Sequence, residues 1–102
     1  MIKHVVMWKL KDQAEHATKQ ENALRMKALL ERCAGLTEGL IKLEVGIDIG
    51  ADSGPWDVVL YSEFADRAAL EAYQQHPVHL AAKPFISKVR DQRAAVDYEV
   101  SR

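Results

Sequence analysis

The feature that most constrains the fold is a strict alternation over residues 2–10, IKHVVMWKL. One set of alternate positions is apolar apart from a histidine and holds Ile2, His4, Val6, Trp8 and Leu10. A period of two predicts a β-strand whose apolar set faces a core, so His4 should point toward buried surface. The opposite set has Val5 and Met7 at its centre, which indicates that the second face of the strand is covered too.

Strand and helix patterns then succeed one another along the chain. We predict strands at 40–49, 57–64 and 93–100, and helices at 12–34, 67–75 and from 77 to about 89. Asp12 and Gly35 are expected to cap the first helix, and Pro84 to bend or break the last one. Residues 50–55 give the strongest turn signal. The second strand should have one apolar face, formed by Ile41, Leu43, Val45, Ile47 and Ile49.

This order, βαββαβ, predicts an α+β protein of the ferredoxin-like class with an antiparallel four-stranded sheet, as one domain over residues 1–102. Helices cover only one face of such a sheet. The other face also carries apolar residues on three strands, so a second copy of the chain is the expected partner, sheet against sheet by two-fold symmetry. These residues are Val5, Met7, Val59, Tyr61, Val96 and Tyr98.

Composition excludes several classes of function. The net charge is −1 and no basic stripe is present, so no nucleic-acid partner is expected. The first twelve residues lack a long apolar run, so neither a signal peptide nor a membrane span is predicted. Cys33 is the only cysteine, which favours a cytoplasmic protein, and we expect it to be a buried hydrophobe on a helix.

The segment from Tyr73 to His79, YQQHPVH, concentrates the reactive side chains. Pro77 fits the first position of a new helix, and a helix break there allows Tyr73 and His79 to converge on one pocket. His79 would lie in the first turn, where the helix dipole keeps an imidazole neutral, as a general base requires. The Tyr73 hydroxyl would steady a developing enolate. The alternative is that His79 caps or packs while Tyr73 is a core aromatic with its hydroxyl at the surface.

The other histidines are assigned smaller roles. We expect His4 to be a hydrogen-bonded partner of His79, and a direct catalytic role for His4 is the alternative. Val6 and Trp8 should line the same pocket, which the bulk of Trp8 is able to fill. His76 is interpreted as a structural residue of the helix junction. It forms an i, i+3 pair with His79, but no third ligand is evident, so no metal site is predicted. His16 is expected to be solvated on the polar half of the first helix.

The sequence resembles the stress-responsive dimeric α/β-barrel (Dabb) family over essentially its whole length. The resemblance is carried by the opening Lys3-His4-Val5-Val6 with Lys9 and Lys11, by Tyr73-x-x-His76-Pro77-x-His79 and by the closing Val96-Asp97-Tyr98. It implies a dimer whose two sheets close into a barrel. The family includes plant stress-induced proteins and a polyketide cyclase that needs no metal or cofactor. In that enzyme, residues corresponding to Tyr73 and His79 form the catalytic pair, with the counterpart of His4 in the same pocket.

Three hypotheses of function follow. The first is a homodimer that binds a small apolar or carbonyl compound in a pocket between sheet and helices. The second is a cofactor-free, cyclase-like enzyme that abstracts a proton with His79 and Tyr73. The third is a non-catalytic, stress-related assembly protein with no pocket. Cofactor-independent monooxygenases share the fold type and remain a further possibility.

Overall fold

A four-stranded antiparallel sheet is the centre of the protein in a computed structural model that describes residues 1–50 and 54–101. Three helices accompany it, which confirms the predicted α+β, ferredoxin-like class. In chain order the elements are β1 (Ile2–Leu10), β2 (Gln13–Ala14), β3 (Ala17–Thr18), α1 (Lys19–Glu31), β4 (Leu40–Ile47), β5 (Val58–Phe64), α2 (Arg67–Gln75), α3 (Pro77–Val89) and β6 (Arg90–Glu99). The strand order in the sheet is β4-β5-β1-β6.

Strand β1 lies in the middle of the sheet and sets its two faces. It pairs with β5 on one side and β6 on the other, so that His4 is opposite Ser62 and Asp97. The alternation predicted for β1 is confirmed, because Ile2, His4, Val6, Trp8 and Leu10 are all buried. These five side chains lie on the face that the helices cover.

The core between sheet and helices consists of two clusters. The larger packs Met26 and Leu30 of α1 and Ile86 and Val89 of α3 against β1, β4 and β5. The smaller surrounds Tyr73 of α2, and its other buried members are Ile2, Cys33, Phe64, Ala69 and Leu70. Cys33 has no exposed surface, as predicted for a buried hydrophobe, although it lies in the turn after α1 and not on the helix.

The first helix is shorter than predicted at both ends. Residues 13–18 form a small hairpin, and α1 begins only after Thr18, whose side chain accepts from the Glu21 N–H while the Glu21 carboxylate accepts from the Thr18 N–H. This capping box, and not Asp12, starts the helix. His16 consequently lies in the hairpin turn with φ 60° and not on a helix. At the other end the cap is Arg32, ahead of Gly35.

The strand edges also differ from the prediction. Strand β4 ends at Ile47, and a register shift between Leu40 and Lys42 displaces Ile41 from the apolar face. Ile41 is 53% exposed and Ile49, beyond the strand, is 89% exposed, so neither belongs to the apolar face of this chain. Strand β5 begins one residue late and β6 begins three residues early, directly after α3. Part of the predicted turn, at 51–53, lies outside the described residues.

Helix α3 continues through Pro84, so of the predicted bend or break the break is wrong. A proline costs its helix one N–H bond to the carbonyl four residues earlier, here that of Leu80. Buried Ala82 on one side of Pro84 and buried Ile86 on the other hold the helix against the core. Pro84 itself is exposed. Tertiary packing therefore outweighs the local defect.

The face of the sheet that points away from the helices has an apolar centre. The register places Val5 between Tyr61 and Val96, and Met7 between Val59 and Ala94. Val96 is 55% exposed and Tyr98 44% exposed, which is unusual for large apolar side chains of a sheet. We call this surface the open face.

Candidate functional site

The junction of α2 and α3 determines the geometry of the candidate site. His76 ends α2 and precedes α3 with an extended ψ of 136°, and its Nδ1 accepts a hydrogen bond of 3.1 Å from the Val78 N–H. Pro77 occupies the first turn of α3, as predicted. The chain thereby turns between the two helices and brings the rings of Tyr73 and His79 to a centroid distance of 4.7 Å. His76 is thus a helix cap, in agreement with the structural role expected for it.

A cavity of about 520 Å³ lies between the sheet and helix α3. Its wall combines His4 of β1 and His79 of α3 with apolar side chains and several cations. Trp8 forms part of this wall and leaves the cavity open, although its bulk was expected to be able to fill it. The lining residues are His4, Val6, Trp8, Leu30, Leu60, Gln74, Gln75, His79, Ala82, Lys83, Ile86, Ser87, Arg90 and Arg93.

His79 is held in one orientation at the edge of this cavity. Its Nδ1 lies 3.1 Å from the carbonyl oxygen of Gln74. Since a carbonyl only accepts, Nδ1 carries the proton, and Nε2 of the neutral ring keeps a lone pair. Partial burial lowers the pKa of His79 below its usual value, and the nearby charges of Lys83, His4 and Arg93 lower it further, against the bond to Gln74. The lowered pKa agrees with the neutral His79 that was predicted. Its causes are burial and neighbouring charges, whereas the prediction rested on the helix dipole.

His4 forms its hydrogen bond with a residue that the sequence interpretation had not placed in the site. Its Nδ1 donates to the carboxylate of Asp97 on the adjacent strand β6. The expected bond to His79 does not occur among the described hydrogen bonds. Asp97 and Arg93 lie on the same face of β6, opposite His4 and Trp8. The alternation of β6 places both on the helix side of the sheet, so the polar positions of this strand could have predicted them as site residues.

Tyr73 is placed differently from the prediction. Its ring is fully buried, at centroid distances of 5.2 Å from Phe64 and 4.7 Å from His79. The hydroxyl lies beside the Cys33 thiol and has no nitrogen or oxygen partner among the described residues. Burial raises the pKa of Tyr73 well above its usual value. Tyr73 is a core aromatic, but its hydroxyl is buried and not at the surface, and it does not line the cavity.

Three cations of the cavity wall were not among the predicted site residues. Lys83 lies on α3, Arg90 at the start of β6, and Arg93 directly opposite Trp8 on the paired strand. The wall contains no Asp or Glu among the residues that the structure describes. Within residues 1–50 and 54–101, no group of three His, Cys, Asp or Glu side chains is arranged to hold a metal ion.

The helices of the described part of the chain are too short and too polar to cross a membrane. The fold and the cavity together define a ferredoxin-like α+β protein with a cavity between its sheet and its helices. Proteins of this fold class have many unrelated functions, so the fold alone does not identify the family.

The family model described as "Stress responsive A/B Barrel Domain" (Dabb) matches residues 2–100. This chain therefore belongs to the Dabb family. A dimeric, ferredoxin-like protein of unknown function from Bacteroides fragilis is 30% identical, with 97% of this chain and 95% of that chain covered and a TM-score of 0.81. No match was found among curated protein sequences.

Two further solved structures show the same fold. A dimeric ferredoxin-like protein of unknown function from Thermobifida fusca is 23% identical, with a TM-score of 0.84 and with 97% of this chain and 90% of that chain covered. A Dabb protein with a ferredoxin-like fold from Mesorhizobium loti is 24% identical, with a TM-score of 0.70 and coverage of 99% and 97%. The recognised family and the fold are thus confirmed.

Proposed function

We propose that the protein is a homodimer that binds a small apolar or carbonyl compound in the cavity between the sheet and α3. The cavity carries this proposal, because about 520 Å³ is within the usual range of ligand sites and its wall mixes apolar side chains with a few polar groups. Val6, Trp8, Leu60 and Ile86 supply the apolar surface, and His79 offers a ring nitrogen to an acidic or polar hydrogen of the ligand.

The open face supports the homodimer. Its apolar centre around Val5 and Val96 is continuous across three strands, and large exposed apolar patches mark association surfaces. The related structures from Bacteroides fragilis and Thermobifida fusca are described as dimeric. Pairing through this face would leave the cavity free, since the cavity lies on the opposite side of the sheet. The single, buried cysteine is compatible with the cytoplasmic location that we propose.

Proton abstraction from a carbonyl compound is the second candidate. A neutral His79 at the cavity edge, with its Nδ1 proton held by Gln74, supports the base. The acid is less well supported, because the Tyr73 hydroxyl is buried beside Cys33 and would have to move to reach a ligand. Binding is therefore favoured over catalysis. The open cavity also weakens the third hypothesis, a protein without a pocket.

One panel of β-dicarbonyl compounds and aromatic ketones distinguishes a binding protein from an enzyme. Calorimetry measures the affinity for each compound, and a separate assay follows its turnover. The variant Ser87→Trp narrows the cavity from an exposed position of α3, and Ala81→Trp is its control, exposed on the same helix but outside the cavity wall. We expect at least one compound to bind, about fivefold more weakly to Ser87→Trp and within about twofold of wild type to Ala81→Trp.

Turnover that disappears in His79→Ala would favour the enzyme, and binding without turnover would favour the binding protein. The proposal would be refuted if no compound of the panel bound, or if the two tryptophan variants weakened binding equally.

A further inference from the structure

We propose that the ligand of this cavity is an organic anion, a molecule whose apolar body lies along the cavity floor and whose carboxylate or phosphate group is held by Lys83, Arg90 and Arg93. This inference rests on the proposed function and narrows the class of ligand. Three observations support it: the cations lack partners, a buried donor lacks an acceptor, and apolar and charged surfaces are separated within the cavity wall.

The three cations have no carboxylate partner among the described residues. Lys83 differs in this respect from Lys88, which lies 3.6 Å from Glu15, and from Lys27, which lies 2.8 Å from Glu31. The whole chain has 14 Lys and Arg against 15 Asp and Glu, so a wall with three cations and no acid departs from the average. Unpaired cations that surround a concave site raise the local concentration of anions.

The adjacent groove shows that this bias is local. A second cavity, of about 370 Å³, is lined by Arg67 together with Glu71, Asp97 and Glu99. Its charges are of both signs and mostly acidic. The neighbouring surface therefore does not share the cationic character of the cavity beside α3.

Trp8 adds a second observation of a different kind. Its side chain is 4% exposed, lines the cavity and directly faces Arg93 across the strand pair. The indole N–H is buried without an acceptor among the described residues. An indole nitrogen only donates, and a buried donor without an acceptor is destabilising. Trp8 lines the cavity and is paired in register with Arg93, so an anion whose oxygens reached the indole nitrogen would supply the missing acceptor.

The cavity wall also separates apolar from charged residues. Val6, Leu60 and Leu30 come from the sheet and α1 and form an apolar surface, whereas Lys83 and Ser87 are exposed residues of α3. Arg90 is half-buried at the point where α3 passes into β6. A ligand that matches both parts has an apolar body and an anionic head. A neutral apolar compound would make no charge-assisted contact with the cations and would leave the indole donor without an acceptor.

Matched ligand pairs test the inference on the full chain by calorimetry at pH 7. Octanoate is compared with octanol and 2-naphthoate with 2-naphthol, so that each pair differs mainly in the head group. Octyl phosphate distinguishes a phosphate from a carboxylate, and tighter binding of either anion identifies the preferred head group. We expect the anions to bind at least about tenfold more tightly than the alcohols, with the difference shrinking as NaCl rises from about 20 to about 200 mM.

The variants Lys83→Gln and Arg93→Gln should each weaken the binding of the anions about fivefold and leave the affinity for the alcohols within about twofold of wild type. Lys88→Gln is the matched control, because Lys88 lies on the same helix, outside the cavity wall, and pairs with Glu15. Equal binding of anions and alcohols would overturn the anion inference while preserving the ligand site. If neither kind of ligand bound, the anion inference would fail, and the β-dicarbonyl and ketone panel would decide the proposed function separately. Equal losses in Lys83→Gln and Lys88→Gln would show a nonspecific charge effect and also overturn the inference.

Discussion

The two histidines of the cavity are fixed by different neighbours. His4 is buried at 4% exposure and donates to Asp97, and His79 is half-buried and bonds the Gln74 carbonyl. Each has one ring nitrogen engaged at Nδ1. The Nδ1 atom of each ring carries a proton because its partner only accepts, and the Nε2 atoms are therefore the groups left to interact with a ligand.

Protonation of His79 can be measured directly. Its pKa is lowered below 6.5, mainly by burial, so we expect its ring resonances to titrate below that value in NMR spectra. The unfolded chain then binds this proton more readily than the folded protein, so the contribution to stability is complete above about pH 6.5 and decreases as the pH falls through the folded pKa. The resonance is assigned by its absence in His79→Gln. A midpoint at or above 6.5 would contradict the prediction.

Single residues were predictable where one strand pattern decided their environment. The burial of His4 follows from the apolar positions on either side of it, and the structure confirms it. Asp97 and Arg93 were not predicted as site residues. The sequence interpretation of β6 used only its apolar positions, such as Val96 and Tyr98, which lie on the other face. The direction of the Tyr73 hydroxyl depends on Cys33, which is 40 residues away in sequence, and no local pattern encodes that contact.

Among the elements, α2 and α3 depend most on their junction. His76 both ends one helix and caps the next, so its imidazole takes the place of the usual Ser, Asn or Asp. The lone pair on Nδ1 satisfies the Val78 N–H, which has no partner within α3.

The variant His76→Ala should lower the free energy of unfolding by about 1 kcal/mol because it removes this acceptor. Urea unfolding measures the change. His76→Asn supplies another acceptor at the same position and should retain most of the stability. If the alanine and asparagine variants were equally stable, the capping role would be wrong.

Element order was predictable because periods of two and of about 3.6 are strong signals over long segments. The residues at which the helices and strands begin and end were less predictable. The hairpin at 13–18 was absorbed into α1 because its polar residues resemble the exposed side of a helix, although Thr18 and Glu21 have the spacing of a capping box. The continuity of α3 through Pro84 depends on core contacts of Ala82 and Ile86 that the sequence does not display.

At the scale of the whole molecule, one sheet separates the cavity from the open face. The cavity lies on the helix side, and the open face on the other, with β1 contributing alternate residues to each. The open face was predictable from the sequence because apolar residues occupy both sets of positions on several strands. The size and charge of the cavity were not, since its walls combine side chains from α1, α2, α3 and the sheet.

Val96→Asp tests the dimer proposed for the open face. A carboxylate at the apolar centre would lose its hydration on association, so we expect the variant to be monomeric at micromolar concentration in sedimentation velocity, while the wild type is dimeric. Leu24→Asp is the control, because Leu24 is a comparably exposed apolar residue, 62% exposed on α1, away from the open face. A monomeric wild type, or a dimer in Val96→Asp as stable as in Leu24→Asp, would refute this interface.

The position of Trp8 gives the cavity an intrinsic fluorophore. The emission of an indole changes when the water around it is exchanged for other atoms, and Trp8 is part of the wall that a ligand would contact. The chain has only one other tryptophan, Trp56, which lies outside this wall. In the variant Trp56→Phe, emission would report on Trp8 alone. Libraries of unlabelled compounds can therefore be screened optically against this cavity before any chemical identity is assumed for its ligand.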